Sequence, residues 1–253
     1  MMTIAVAYKW AADPQEAQVG EDGTVDWSRA KPGVAEYDAV AVEAARLLAE
    51  PAAEECVAVS VGPAATGSSL ARKGIMSRGA DRGLAVADDA VRSWPTTQQA
   101  EALAALVGRS GADVVITGDT SVDENARMMS GLVAGFLGWP CLQMVSRITR
   151  TDDGLELVQA VAGGTRTLHV TGPVVVAVTS DCVPTRVPGM KDILAAGRKP
   201  FDVVAVEDLT TTPVSLPVTG ARRPDGPRRA CRTLTGPDAV ADLVAALHAD
   251  QVL

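Results

Sequence analysis

The chain has 253 residues, of which 47% are hydrophobic and 21% charged, and its formal net charge is −8. This composition is typical of a globular protein with a sizeable core, and the acidic balance argues against general nucleic-acid binding. No apolar stretch reaches the roughly 18 residues of a membrane-spanning helix, the first residues carry no basic leader, and the four cysteines form no C-x-x-C pair. We therefore expect a cytoplasmic protein with no membrane span and no metal site.

The first half of the chain alternates segments typical of strands with segments typical of helices. Runs of β-branched residues indicate strands, and alanine-rich stretches with apolar residues at helical spacing indicate helices. A glycine follows each of the last three predicted helices, where it fits the C-terminus. In chain order we predict a strand at 4–8, a long loop, a helix at 37–49, a strand at 56–61, a helix at 68–78, a strand at 84–87, a helix at 98–110, a strand at 114–117 and a helix at 124–137.

The pattern changes after Pro140. Four strand-like segments follow one another with short turns, which predicts antiparallel pairing of the early members. A short helix is predicted at 190–196. From residue 210 the chain is rich in Thr, Pro, Gly and Arg until a last predicted helix at 237–249, a composition that buries little surface by itself. The four strands are predicted at 142–148, 155–161, 166–170 and 174–179.

These elements predict an α/β fold. Strands that alternate with helices imply crossover connections and a parallel sheet. We predict a Rossmann-like, doubly wound and mostly parallel sheet with a smaller antiparallel part and an extended C-terminal arm. The predicted core spans residues 1–205, and the predicted arm spans residues 206–253 and packs on a partner subunit.

Ligands of open α/β sheets gather at the carboxyl ends of the parallel strands. Three such ends can be located, at 8–9, 61–63 and 117–119. The third leads into a predicted helix, whose first turn offers free backbone N–H groups and a favourable dipole to a phosphate. The alternative is an ordinary helix start capped by Asp123 or Asn125. The chain contains neither a Walker loop nor a G-x-G-x-x-G motif.

Six segments of the chain, in order, resemble the β subunit of electron transfer flavoproteins. Each match is weak alone, but the order and spacing are those of the family. The segments are the first strand up to Lys9, the helix start Tyr37–Ala44, the turn Gly79–Gly83, the stretch Gly118–Gly138, the pair Gly163-Gly164 and the segment Arg186–Pro200.

The resemblance implies an electron carrier subunit without a catalytic site of its own. Such β subunits pair with an α subunit, which holds most of the redox FAD, and bind AMP in a structural role or a second FAD. The resemblance also implies a flavin dehydrogenase as electron donor or a quinone-linked oxidoreductase as acceptor. Carried over to this sequence, the cofactor-binding residues are Ala7, Lys9, Ala35, Tyr37, Asp38, Val61, Gly118, Val122, Asp123, Asn125, Arg127, Met128, Met129 and Ser130.

The chain departs from the family pattern within the predicted nucleotide site. Ala35-Glu36 replaces Asn-Pro, Thr120 and Met128 replace glutamines, and Ser130 replaces a glycine. Each lost hydrogen bond weakens nucleotide recognition by about 1 kcal/mol, whereas Arg127 adds a charged donor suited to phosphate. A stand-alone adenine-nucleotide-binding or nucleotide-hydrolysing protein, or a homologue without nucleotide, therefore stays open.

Two basic segments interrupt the acidic chain. Residues 186–199 carry a local charge of +3 and residues 222–232 a local charge of +4. In the first segment we predict partner docking by Arg186, Met190 and Lys191, with Met190 as an exposed apolar anchor. The alternative is that Met190 packs against the core.

Overall fold

The computed structural model describes residues 2–214, 219–220, 225–226 and 231–252. The strands are β1 Ile4–Ala7, β2 Trp10–Ala12, β3 Gln18–Val19, β4 Val25–Asp26, β5 Pro32–Val34, β6 Cys56–Gly62, β7 Arg82–Ala87, β8 Val114–Gly118, β9 Cys141–Arg150, β10 Leu155–Val161, β11 Gly164–Val170, β12 Val174–Val178 and β13 Phe201–Val203. The helices are α1 Glu36–Ala49, α2 Ser69–Met76, α3 Thr96–Ser110, α4 Met129–Leu137, α5 Met190–Ala196 and α6 Ala239–Ala249.

Nine strands form the main sheet, in the order β11-β10-β9-β12-β8-β1-β6-β7-β13. The six strands from β12 to β13 are parallel, β9 is parallel to β12, and β10 is antiparallel to both β9 and β11. This arrangement confirms the predicted doubly wound, mostly parallel sheet with a smaller antiparallel part. The chain winds in one direction from β1 to β6 and β7, and in the other to β8 and β12.

Both faces of the sheet are covered by helices. Ile4 and Val6 of β1 belong to the core layer under α1 and α2, whereas Ala5 and Ala7 belong to the layer that includes α3 and α4. Strand side chains alternate between the faces, so a strand buried on both sides reads as a continuous apolar run. Alanines on the helices let these pack closely on the sheet, which compensates for the scarcity of aromatic residues.

Two sequence predictions are corrected by the structure. The helix predicted at 124–137 begins only at Met129, because Asn125 and Arg127 have φ angles of +47° and +53°. That left-handed conformation cannot continue a right-handed helix. Neither Asp123 nor Asn125 is therefore the N-cap. The predicted long loop after β1 also contains two small antiparallel ribbons, β2–β5 and β3–β4.

The segment after β13 packs on the core beyond the predicted boundary at residue 205. Val206 and Leu209 contact the layer under α3, and the Thr212 backbone N–H donates to Glu101 of α3 at 2.6 Å. The helix α6 has no buried residue within the described ranges. The predicted +4 segment lies partly outside the described residues, which leaves out Arg222, Arg223, Arg228 and Arg229.

Candidate functional site

The direction of winding reverses between β1 and β8, and a cavity of about 400 Å³ lies at this switch point. Loops that leave neighbouring strands toward opposite faces open a crevice at the carboxyl edge of such a sheet. The cavity is bounded by the ends of β1, β6 and β8, by the first turns of α3 and α4, and by residues 119–128, which we call the β8–α4 loop.

Asp38 in the first turn of α1 ties the two strand ends together. Its carboxylate accepts hydrogen bonds from the backbone N–H of Lys9 at 2.7 Å and of Gly118 at 3.3 Å. A Cβ at Gly118 would lie 2.7 Å from the Cβ of Tyr37, so only glycine lets α1 approach this closely. Burial raises the pKa of Asp38 to about 7, although both backbone hydrogen bonds and Lys9 act in the opposite direction. The switch point therefore carries a carboxyl group that titrates near neutrality.

Lys9 links the end of β1 to the β8–α4 loop. Its ammonium nitrogen lies 2.6 Å from Asp123 Oδ2 and 2.9 Å from Glu124 Oε1. Burial lowers the pKa of Lys9, but the hydrogen bonds to the two carboxylates outweigh that effect and the net shift is upward. Burial disfavours the charged form of Asp123 too and so raises its pKa, but the hydrogen bond from Lys9 outweighs burial and brings this pKa below its usual range. Lys9 and Asp123 are therefore both charged near neutral pH.

The rest of the β8–α4 loop is anchored to β9. Buried Asp119 accepts a hydrogen bond from the Met144 backbone N–H at 3.0 Å, and its other carboxylate oxygen lies 3.9 Å from Arg127 Nε. Gln143 donates to the Arg127 carbonyl at 3.0 Å. Met144 also has a left-handed φ, +57°, at an irregularity in the pairing of β9 with β12. Non-glycine residues in this conformation are strained and cluster at functional sites.

Two helices begin at the cavity. Pro95 precedes α3 and Met128 precedes α4, and neither makes a side-chain hydrogen bond to the first turn among the described residues. Both first turns keep their free N–H groups and the positive end of the helix dipole. Arg92 and Arg127 also line the cavity. This donor set suits an anionic group such as a phosphate.

The structure brings together most of the predicted cofactor-binding residues. Those that line the cavity are Ala7, Lys9, Asp38, Val61, Gly118, Arg127, Met128, Met129 and Ser130. A second cavity of about 470 Å³, between the β2–β5 ribbon and the β8–α4 loop, is lined in part by Ala35, Val122 and Asp123. Tyr37 and Asn125 line neither cavity.

Sequence reasoning missed one wall of the first cavity, which follows β7. The sequence prediction used the ends of three parallel strands and left out the end of β7, although the carboxyl end of β7 lies at the same edge of the sheet. The loop after β7 and the first half of α3 supply Val91, Arg92, Thr96, Gln99 and Leu103. The position of β7 in the strand–helix alternation could have indicated this wall.

The residues predicted to dock a partner lie on and before α5. Met190 is 73% exposed, so it does not pack against the core, and Lys191 is also exposed. Arg186 is turned toward the chain itself: its Nε lies 3.5 Å from Glu43 Oε2 of α1, and its Nη1 lies 3.3 Å from Asp192 Oδ2 of α5. Its charge is therefore compensated within this chain.

Within the described ranges, no group of three or more His, Cys, Asp or Glu residues is arranged to hold a metal ion. The same described residues contain no helix that is long and apolar enough to cross a bilayer.

A comparison with protein families supports the redox interpretation at the level of the domain. The model of the electron transfer flavoprotein domain matches residues 23–209. The matched span is most of the chain and contains every element from β4 to β13, including the whole β8–α4 loop. The chain therefore belongs to the electron transfer flavoprotein domain family.

Proposed function

We propose that this chain is the β-type subunit of a heterodimeric electron transfer flavoprotein, which relays electrons through an FAD shared with an α-type subunit and holds an AMP in a structural role. The observation that carries the nucleotide part is the switch-point cavity, with two uncapped helix N-termini and Arg127 on its walls. Most of the residues that form this cavity lie within the family match, and Ala7 to Trp10 precede it.

The size and the donor set of the cavity fit a mononucleotide. Its volume of about 400 Å³ lies in the lower part of the range of about 300 to 1,000 Å³ typical of ligand pockets, which favours AMP over a second FAD. The first turn of α4 and Arg127 would hold the phosphate. Glu124 would oppose a phosphate, and Lys9 offsets its charge only in part, because the same ammonium group also binds Asp123.

FAD, when bound between the subunits, supplies the one- or two-electron chemistry. This chain itself positions the nucleotide and docks the redox partner. Asp38 holds the ends of β1 and β8 in register with the nucleotide cavity. Exposed Met190 and Lys191 on α5 would contact a flavin dehydrogenase or a quinone-linked oxidoreductase. No catalytic site is proposed within this chain.

The exposed apolar face of α6 supports a partner subunit. Val240 is 75% exposed and Leu243 is 50% exposed, although both are large apolar residues on one helix. An apolar helix face without a covering element marks an interaction surface. A stand-alone nucleotide-binding protein would have no use for it.

The proposal is tested by purifying the chain alone and together with an electron transfer flavoprotein α-type subunit from the same source. Acid-released nucleotides are then separated by chromatography and counted per protein. We expect AMP on the chain in both preparations, and FAD only in the complex. Stoichiometric FAD on the isolated chain, or a failure to form a complex, would contradict the proposal.

A further inference from the structure

An ion pair lies on the boundary between the two cavities. Lys9 and Glu124 line the cavity at the switch point, and Asp123 lines the cavity beside the β2–β5 ribbon. The Lys9 ammonium contacts both carboxylates, at 2.6 Å for Asp123 and 2.9 Å for Glu124. One carboxylate on each side of the boundary is therefore held by the same cation.

The same two chain segments form walls of both cavities. On the first, Trp10 lines the switch-point cavity and the next residue, Ala11, lines the second cavity. On the other, Ser121 lines the switch-point cavity and Val122 lines the second cavity. The two spaces are thus neighbours along one crevice, and the Lys9 ion pair lies between them.

The ion pair is suited to opening. The Lys9 and Glu124 side chains are 36% and 58% exposed, and an ion pair this accessible to solvent adds little to stability. The Asp123 side chain is 19% exposed, so its contact with Lys9 is the firmer of the two. The loop that carries both carboxylates continues through Asn125 and Arg127, whose left-handed φ angles store strain. Release of Lys9 would free the first half of the loop while Asp119 still anchors its start to Met144.

We propose that Lys9 is a specificity-determining residue, because its ion pair limits the site to a mononucleotide. When the pair is closed, the switch-point cavity takes an AMP-sized ligand alone. When it opens, the two cavities join into a crevice that approaches the upper part of the usual ligand-pocket range of about 300 to 1,000 Å³, and a dinucleotide fits. This inference rests on the proposed nucleotide function of the same cavity.

The test uses the full-length chain with the double substitution Asp123→Asn and Glu124→Gln, which removes both negative charges that hold Lys9 without a change of side-chain size. Calorimetry measures binding of AMP and of FAD separately. Both ligands carry about two negative charges near neutral pH, so the ratio of their dissociation constants isolates ligand size from charge. We expect the FAD-to-AMP ratio to fall by about tenfold or more, equal to about 1.4 kcal/mol.

The matched control is Asp13→Asn with Glu16→Gln, which removes the same charge from the second cavity without touching Lys9. An unchanged ratio in the test variant, or an equal fall in the control, would overturn the inference. If the wild type binds neither AMP nor FAD, the proposed function fails. Hydrogen exchange then tests whether the Lys9 ion pair holds the β8–α4 loop. Amides of residues 119–128 must exchange faster in the test variant than in the control, and equal rates overturn the inference.

Discussion

Asp38 shows how one buried side chain can set the pH dependence of this fold. Its carboxylate joins the ends of β1 and β8 through two backbone N–H groups. Burial raises its pKa in the folded state to about 7, above the unperturbed value of about 3.9. Between these values the folded state binds more protons than the unfolded state, so the free energy of unfolding falls as pH rises from about 4 to 7.

The first prediction is that Asp38→Asn abolishes this fall in the free energy of unfolding with rising pH. At every pH the loss of one hydrogen bond lowers the free energy of unfolding of the variant by about 1 kcal/mol, because the Asn side chain has one acceptor oxygen for two backbone N–H donors. Relative to the wild type, its unfolding free energy should rise between pH 4 and 7 by about 2 to 4 kcal/mol, since one pKa unit is worth about 1.4 kcal/mol. Urea unfolding at several pH values measures the difference.

The control for this prediction is Asp22→Asn, the same chemical change at an exposed site. Hydrogen bonds from Thr24 lower the pKa of Asp22, so any pH effect of that variant has the opposite sign. Wild-type and Asp38→Asn curves that run parallel across the range would show that Asp38 is ionised throughout.

The helix α5 exposes large apolar side chains, as α6 does. Met190 is exposed at its first position, Leu194 is exposed one turn later, and Val187 is exposed just before the helix. Arg186 holds this helix against α1 through Glu43 and Asp192. The helix thus exposes apolar side chains while ion pairs hold its backbone in place, as expected of an interface anchor.

The second prediction is that Met190→Ala weakens docking of the electron partner without changing its dependence on salt. Truncation of a central apolar anchor costs about 2 kcal/mol, or about 30-fold in affinity. Stopped-flow reduction of flavin in the assembled heterodimer, at subsaturating dehydrogenase and two salt concentrations, measures both effects. Wild-type rates in Met190→Ala would refute the anchor.

Lys191→Ala is the companion variant, because Lys191 is exposed beside Met190. Charges at the rim of an interface mainly raise the encounter rate and are screened by salt. This variant should therefore flatten the salt dependence and change the dissociation rate little. Arg186 is a poor probe of charge, since its own chain already compensates it.

For the whole molecule, the third prediction concerns the part of the chain beyond the packed core. Thr211 and Thr212 are bound to α3, whereas α6 has no buried residue within the described ranges. A chain that ends after residue 214 should fold with the thermal stability of the full-length protein but should not form the heterodimer. Thermal unfolding and size-exclusion chromatography with the α-type subunit test the two halves of this prediction.

The matched variant for the truncation is Leu243→Asp in the full-length chain, which places a charge on the exposed apolar face of α6. It should weaken the heterodimer while the subunit itself stays folded. A heterodimer that survives the truncation would place the subunit interface on the core instead.

Sequence periodicity alone located most of the main-sheet strands and the doubly wound arrangement. Continuous apolar runs such as those of β6 and β8 indicate strands that are buried between two layers of helices. Gly111 and Gly138 mark helix ends, because both adopt left-handed φ angles. The carboxyl ends of β1 and β8 also indicated the place of the site, because it follows from topology.

Tertiary structure alone decided which residues complete that site. Lys9 pairs with Asp123 and Glu124 more than a hundred residues away, and the start of α3 forms a wall that has no motif of its own. The start of α4 also moved to Met129, because the contacts of its loop with β9 outweigh a helical pattern in the sequence. Periodicity records which face of an element is buried; it does not record which distant side chains share a cavity, since that depends on how the loops close over the sheet edge.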